Sequence, residues 1–252
     1  MDNVLSFGDG ERTLVVIPGL SATKVTAAST LLKGVFKQFT NEWTLYVIDR
    51  PDIIPEGTTN ESLAEAYVAI MEGYGIKDAD IIGVSQGGMI AQYIAIRHPE
   101  MVHRLVLGAS LSRMNSAAEA VFDGWLLLVQ EENWYEYNMD TFNRLYSDSF
   151  LERRGAALKT AARMMKADDK ERFIRLIRAC RTGGPYDELG KVKCPVFVMG
   201  SEDDAVLTGD ASREIAEVLG CELYMFKGYR HAIYDEAEDF YPRAYDFLHS
   251  VK

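Results

Sequence analysis

Ala79-Asp80-Ile81-Ile82-Gly83-Val84-Ser85-Gln86-Gly87-Gly88-Met89 is the stretch on which the fold of this 252-residue chain turns. Ala79 to Val84 is a short, almost uninterrupted apolar run of the kind a fully buried strand produces. From Gly87 to Arg97 the residues favour a helix, which His98-Pro99 would halt. Between the two lies Gly83-Val84-Ser85-Gln86-Gly87, a G-x-S-x-G pattern in the strand-to-helix context that makes it a nucleophile elbow. A serine on so sharp a turn occupies strained backbone, and glycines two residues before and after let neighbouring chain pass without a Cβ clash. The helix that begins there aims its first amides at the serine, where they can stabilise negative charge.

Outward from this stretch, short apolar runs alternate with amphipathic ones. Val4 to Phe7, Gly8-Asp9-Gly10 and Leu14 to Ile17 predict a hairpin leading into a buried strand. A helix over 25–39, a strand over 44–48 and a helix from Thr59 to about Tyr74 follow, and Arg104 to Leu107 is a strand after the elbow helix. This rhythm predicts a mostly parallel sheet with helices on both faces. It breaks after Ser110. From Leu111 to about Gly190 only helical runs are legible: 117–130, 135–146, 156–165 and 172–180. The rhythm then resumes with a strand over 196–199, a helix over 211–219, a strand over 222–226 and a terminal helix over 239–250. The expected organisation is an α/β core of residues 1–110 and 191–252 interrupted by an α-helical cap over 111–190.

Composition narrows the function. With 27 Lys and Arg against 38 Asp and Glu, the net charge is −11, which argues against nucleic acid as a partner because phosphate binding needs clustered cations. No apolar run approaches the ~20 residues of a membrane span, and Met1-Asp2-Asn3 does not resemble a signal peptide. Cys180, Cys194 and Cys221 share no metal-ligand spacing and read as reduced thiols, so a cytoplasmic location is expected. The expected partner is a small-molecule substrate, with a homodimer left open; no metal and no organic cofactor is expected.

A serine needs a base, and the chain has four histidines. His98 ends the elbow helix, His103 opens the next strand at its entry side, and His249 lies in the terminal helix. His231, in Gly228-Tyr229-Arg230-His231, follows the last strand and so emerges at the same carboxyl edge of the sheet as Ser85. The third member should be a carboxylate that orients the imidazole. Gly200-Ser201-Glu202-Asp203-Asp204 follows the penultimate strand at that edge, and strand geometry does not rank its three acids. Gly108-Ala109-Ser110, after the strand ending at Leu107, offers no acid.

On these motifs the sequence resembles the small, cap-bearing serine hydrolases of the α/β-hydrolase superfamily over nearly its whole length. The resemblance implies an acid three residues after the glycine that ends the strand, which selects Asp203, and a base in a G-x-x-H loop, which is His231. It also implies an oxyanion hole of two backbone amides, those of Leu20 and of Gln86. The His-Gly pair that usually precedes the first amide is replaced by Pro18-Gly19, so no histidine orders that loop. The implied activity is hydrolysis of a small or medium carboxylic ester or thioester through an acyl-enzyme. C–C bond hydrolases, lactonases, amidases and cofactor-free peroxidases share the triad and cap, and a non-catalytic ligand-binding protein could keep the fold. An aspartate-nucleophile enzyme is disfavoured by the serine.

The cap adds two expectations. Residues 153–181 hold ten basic side chains and three acids, +7, which leaves −18 for the rest of the chain. Lys159, Arg163, Lys166 and Lys170 would share one helical face, either solvated or attracting an anionic substrate. Phe122, Trp125, Trp134, Tyr146, Met164 and Met165 would wall an apolar acyl pocket, whereas Met89 and Tyr93 would pack on the sheet.

Overall fold

The computed structural model describes residues 3–250. Among them seven strands form one sheet: β1 (Val4–Phe7), β2 (Arg12–Ile17), β3 (Trp43–Ile48), β4 (Ala79–Val84), β5 (Val102–Gly108), β6 (Val196–Ser201) and β7 (Glu222–Phe226), in the order β1-β3-β2-β4-β5-β6-β7. From β3 to β7 every pairing is parallel, and β1 alone runs antiparallel. The helices are α1 (Ser29–Val35), α2 (Asn60–Gly73), α3 (Gln86–Arg97), α4 (Ser116–Gln130), α5 (Trp134–Leu145), α6 (Asp148–Met164), α7 (Lys170–Cys180), α8 (Gly209–Leu219), α9 (Ile233–Glu236) and α10 (Phe240–His249).

The strands read as continuous apolar runs because both faces are covered. Val15, Ile17, Ile81 and Leu105 join one buried cluster with residues of α2, α3 and α8. Leu14, Val16, Ile82 and Val84 point the other way, into a cluster with Phe36, Phe39 and α10. A third cluster lies between the core and the helical insertion α4–α7, which runs from β5 to β6 in the chain; it joins Phe122, Trp125 and Phe173 to Leu111, Val206 and Leu207. Side-chain caps fix where the inserted helices start: Asn115 accepts from Ala118, Ser147 from Phe150 and Asp169 from Arg172. No helix among the described residues is long and apolar enough to cross a membrane.

The structure corrects the hairpin expected at the start. β1 pairs with β3, Val4 opposite Ile48 and Phe7 opposite Leu45, and β3 lies between β1 and β2. The Gly8–Gly10 turn explains it, because it runs hard against the chain entering β3: a Cβ on Gly10 would sit 1.9 Å from the Glu42 carbonyl carbon. The 25–39 stretch is likewise not one helix but α1 flanked by single 3-10 turns, Val25–Ala28 and Lys37–Phe39. Asp49 captures the amides of Val25 and Thr26 at 3.1 and 2.8 Å and so holds the first of these turns to the end of β3. α6 starts eight residues earlier than 156 and stops at Met164, while Lys170 opens α7. The four lysines and arginines expected on one face are therefore split between two helices and their link.

Candidate active site

Ser85 follows β4 directly and precedes the first residue of α3, with φ 53° and ψ −123°. A non-glycine residue in that region is strained, and here the strain is held by packing on both sides. The Ser85 amide donates to Gly108 at 2.8 Å, and the Ser110 hydroxyl donates to the Ser85 carbonyl at 2.9 Å. Gly87 brings α3 against the end of β2 so closely that a Cβ there would lie 2.0 Å from the Ile17 carbonyl oxygen. That contact sets Pro18-Gly19-Leu20 beside the serine. A Cβ on Gly19 would be 3.1 Å from that of Ser85 and 3.6 Å from the Tyr234 hydroxyl.

His231, in the loop between β7 and α9, is buried and meets the serine: its Nε2 lies 2.9 Å from Ser85 Oγ. Its Nδ1 lies 2.8 Å from Asp204 Oδ2. The insertion holds this loop, since the His231 and Ala232 amides donate to Arg144 and Leu145 at the end of α5. The Ser147 amide donates to Glu236 at 2.9 Å, a second tie between the α5–α6 junction and the segment after the histidine.

The acid facing His231 is therefore Asp204 and not Asp203. β6 extends one residue past Gly200, with Ser201 opposite Phe226, and three residues beyond its end is Asp204. Asp203 is exposed; its Oδ2 accepts from the Gly228 amide at 3.4 Å, and Glu202 pairs with Arg213. Burial opposes ionisation of Asp204, but the imidazole's charge and hydrogen bond, with the amides of Leu207 and Val206 on Oδ1, outweigh it and hold the carboxyl below its ordinary value. The other histidines face surface acids: His98 meets Glu65, His103 Asp78 and His249 Glu42.

Gln86 N–H opens α3, where the first-turn amides have no helical acceptor. Among the described residues neither it nor the Leu20 amide is engaged by a backbone carbonyl. Both belong to segments that flank Ser85. Behind them lies Arg50, 2% exposed, a residue the sequence reading did not single out. Its Nε donates to Gln86 Oε1 at 3.0 Å and its Nη2 to the Pro18 carbonyl at 2.9 Å. Tyr234, also unremarked in the sequence, is kept neutral by burial, which raises its phenol well above the ordinary value. Its place three residues after His231 is a signal that could have found it.

The insertion's residues divide. Phe122 and Trp125 are buried with Met89, which packs into this cluster rather than on the sheet; Tyr93 packs on the sheet side. Met164 is 79% exposed and Met165 44%, so the two methionines do not wall a pocket. The basic stretch is partly structural: Arg172 donates to the carbonyls of Arg50 and Pro51, Arg175 to that of Ile54, Lys170 pairs with Glu132, and Arg181 with Glu119 and Asp123. The three cysteines are free thiols, and burial pushes Cys180 up to about 12 and Cys194 and Cys221 up to about 11. No group of three metal-ligating side chains is poised around one point among the described residues.

A serine hydroxyl on an imidazole, and that imidazole on a carboxylate, can pass the serine proton inward as the oxygen attacks an electrophile. These three side chains meet at the carboxyl edge of a mostly parallel sheet that carries a helical insertion. Residues 14–243 match the alpha/beta hydrolase family, and the chain belongs to it. MGS-M2, an alpha/beta hydrolase enzyme from a Medee basin deep-sea metagenome library, superposes with a TM-score of 0.85 over 99% of this chain and 95% of that one, at 22% identity. The 2-hydroxy-6-oxononadienedioate/2-hydroxy-6-oxononatrienedioate hydrolase 1 of Dechloromonas aromatica (strain RCB) is 24% identical over 259 residues, 96% of this chain and 88% of that protein. A candidate carbamate hydrolase, RutD of Caulobacter sp. (strain K31), is 25% identical over 163 residues, 64% of this chain; the match spans 61% of that relative's length.

Proposed function

We propose that the protein is a serine hydrolase that cleaves a small or medium carboxylic ester or thioester through an acyl-enzyme intermediate. The observation that carries this reading is the continuous relay at one sheet edge: Ser85 Oγ to His231 Nε2 at 2.9 Å and His231 Nδ1 to Asp204 Oδ2 at 2.8 Å. Ser85 Oγ attacks the acyl carbonyl as its proton passes to His231 Nε2, and a C–O bond forms. Negative charge develops on the former carbonyl oxygen and is met by the amides of Leu20 and Gln86. The bond to the leaving group breaks, and that group takes the proton from His231. Water then repeats the sequence on the acyl-enzyme, giving its proton to His231 and releasing the acid and Ser85. Asp204 holds the imidazole with Nε2 free to accept. Residues 111–190 act as a cap over this edge, with 1–110 and 191–252 as the core.

The test is labelling by a fluorophosphonate probe together with turnover of p-nitrophenyl esters of graded chain length. Wild type is expected to be labelled at Ser85 and to turn over at least the short esters. Ser85→Ala, folded as judged by circular dichroism, should lose labelling and roughly 10³-fold or more in kcat. Labelling that persists in Ser85→Ala overturns the assignment. A panel of thioesters, lactones, amides and vinylogous diketones then separates ester cleavage from the C–C, lactone and amide chemistries that the same relay can serve.

A further inference from the structure

The buried guanidinium of Arg50 has no carboxylate in contact with it among the described residues. Arginine stays protonated in proteins, and a buried one is ordinarily set against a carboxylate. Arg50 is 2% exposed, yet its two hydrogen bonds go to neutral oxygens, Oε1 of Gln86 and the carbonyl of Pro18. None of the ion pairs among the described residues includes it. The acid beside it in the chain, Asp49, turns its oxygens to Val25 and Thr26 and makes no direct contact with the guanidinium: Oδ1 accepts from the Val25 amide, Oδ2 from the amide and hydroxyl of Thr26.

The two oxygens it grips are not arbitrary. Gln86 supplies one proposed oxyanion amide, and Pro18 lies two residues before the other, that of Leu20. A single rigid fork thus spans both segments, which follow the neighbouring strands β2 and β4. Gln86 is fixed from its other side, where Nε2 donates to Asn60 Oδ1 at 3.2 Å and to the Leu176 carbonyl of α7 at 3.3 Å. The Arg50 backbone is fixed as well, because its carbonyl accepts from Arg172 at 3.2 Å.

Building on the serine-hydrolase reading, we propose that Arg50 is a positioning residue for the oxyanion hole: it sets the spacing of the Leu20 and Gln86 amides and supplies the positive potential behind them, with the tetrahedral oxyanion as the anion it lacks. A charge held in place before reaction, in a site that excludes water, stabilises what develops in the transition state and does little for a neutral bound ester. Its loss therefore lowers kcat and leaves KM nearly unchanged.

Three variants test this. Arg50→Met removes the charge and the fork. Arg50→Lys keeps the charge and loses the fork. Gln86→Glu retains an acceptor for Arg50 Nε and neutralises the charge from within, so it decides the matter should Arg50→Met fail to fold. The readouts are the second-order rate of Ser85 phosphonylation by a fluorophosphonate and the kcat and KM for p-nitrophenyl acetate. Arg50→Met and Gln86→Glu should each slow phosphonylation and kcat by about 10- to 100-fold with KM within about 2-fold, and Arg50→Lys should recover part of the loss. Folded variants that react at wild-type rates, or whose loss lies in KM alone, overturn the role of Arg50. Absence of any Ser85 labelling in wild type overturns the hydrolase reading itself, and the proposal with it.

Discussion

Each edge of the sheet buries an aspartate, and the two carboxyls are shifted in opposite directions. At the amino edge Asp80, near the start of β4, is 1% exposed; Arg12 and the Trp43 indole both donate to its Oδ2 at 2.7 Å, and its Oδ1 has no partner among the described residues. Burial dominates there and raises the carboxyl above its ordinary 3.8 in spite of both donors. At the carboxyl edge Asp204 is 8% exposed, but both its oxygens are met, and it is lowered below the same 3.8. Depth of burial does not distinguish the two. The partners do: Asp204 faces the His231 imidazole on one oxygen and, on the other, the amides of Val206 and Leu207, which the loop at the carboxyl edge of β6 turns inward. The amino edge is instead closed by the last turn of α10, where Arg12 donates to the carbonyl of Leu248 and Arg104 to those of Phe247 and Leu248. One edge carries the proposed relay; the other fastens α10 to the sheet.

The two edges differ most in consequence at Asp204. Asp204→Asn should lower kcat by about 10⁴-fold, because an amide in its place can donate to Nδ1 and so favour the wrong imidazole tautomer. Asp203→Asn, one residue away in the chain, should change kcat by less than about 2-fold, since an exposed carboxylate with one long contact contributes little. Ester turnover by the two variants side by side checks this. Equal losses would mean that the acid is shared between neighbours, and the contrast with Asp80 would lose its meaning.

That pair of neighbours also shows how far the sequence could be read. The elbow was legible to the residue because strand, serine and helix are contiguous, and each local preference agrees with the next. His231 was legible by position along the chain. The acid was misplaced by one residue because the end of β6 is set by a nonlocal pair, Ser201 with Phe226, that apolar patterning does not reveal. The false hairpin has the same cause: β1 finds its partner 40 residues on, across a turn that resembles a hairpin turn. Arg50 was invisible because its meaning depends on three segments, ending in Pro18, Arg50 and Gln86, that only the folded sheet brings together.

Asp80→Asn sharpens the comparison from the other edge. The variant should keep kcat and KM, since nothing at the amino edge touches the relay. It should lose about 1–3 kcal/mol of stability through weaker bonds to Arg12 and Trp43. Chemical denaturation beside ester kinetics checks both halves. A loss of turnover without a loss of stability would show that the two edges are coupled through β4.

The smallest effect depends on the signs of the two shifts. A carboxyl whose folded value is raised contributes stability that is complete below the unfolded value and is lost as pH rises through the folded one. Asp80 is of this kind, so the stability gap between wild type and Asp80→Asn should narrow as pH is raised past 3.8. Asp204, lowered, contributes above 3.8 and loses that contribution as pH falls through its folded value, so the gap between wild type and Asp204→Asn should widen over the same rise. Urea midpoints of the three proteins, followed from roughly pH 3 to pH 6, therefore move in opposite senses relative to wild type. Gaps that move in the same sense would mean that burial alone sets both carboxyls, and that the amides of Val206 and Leu207 do not prepare the carboxyl edge for charge.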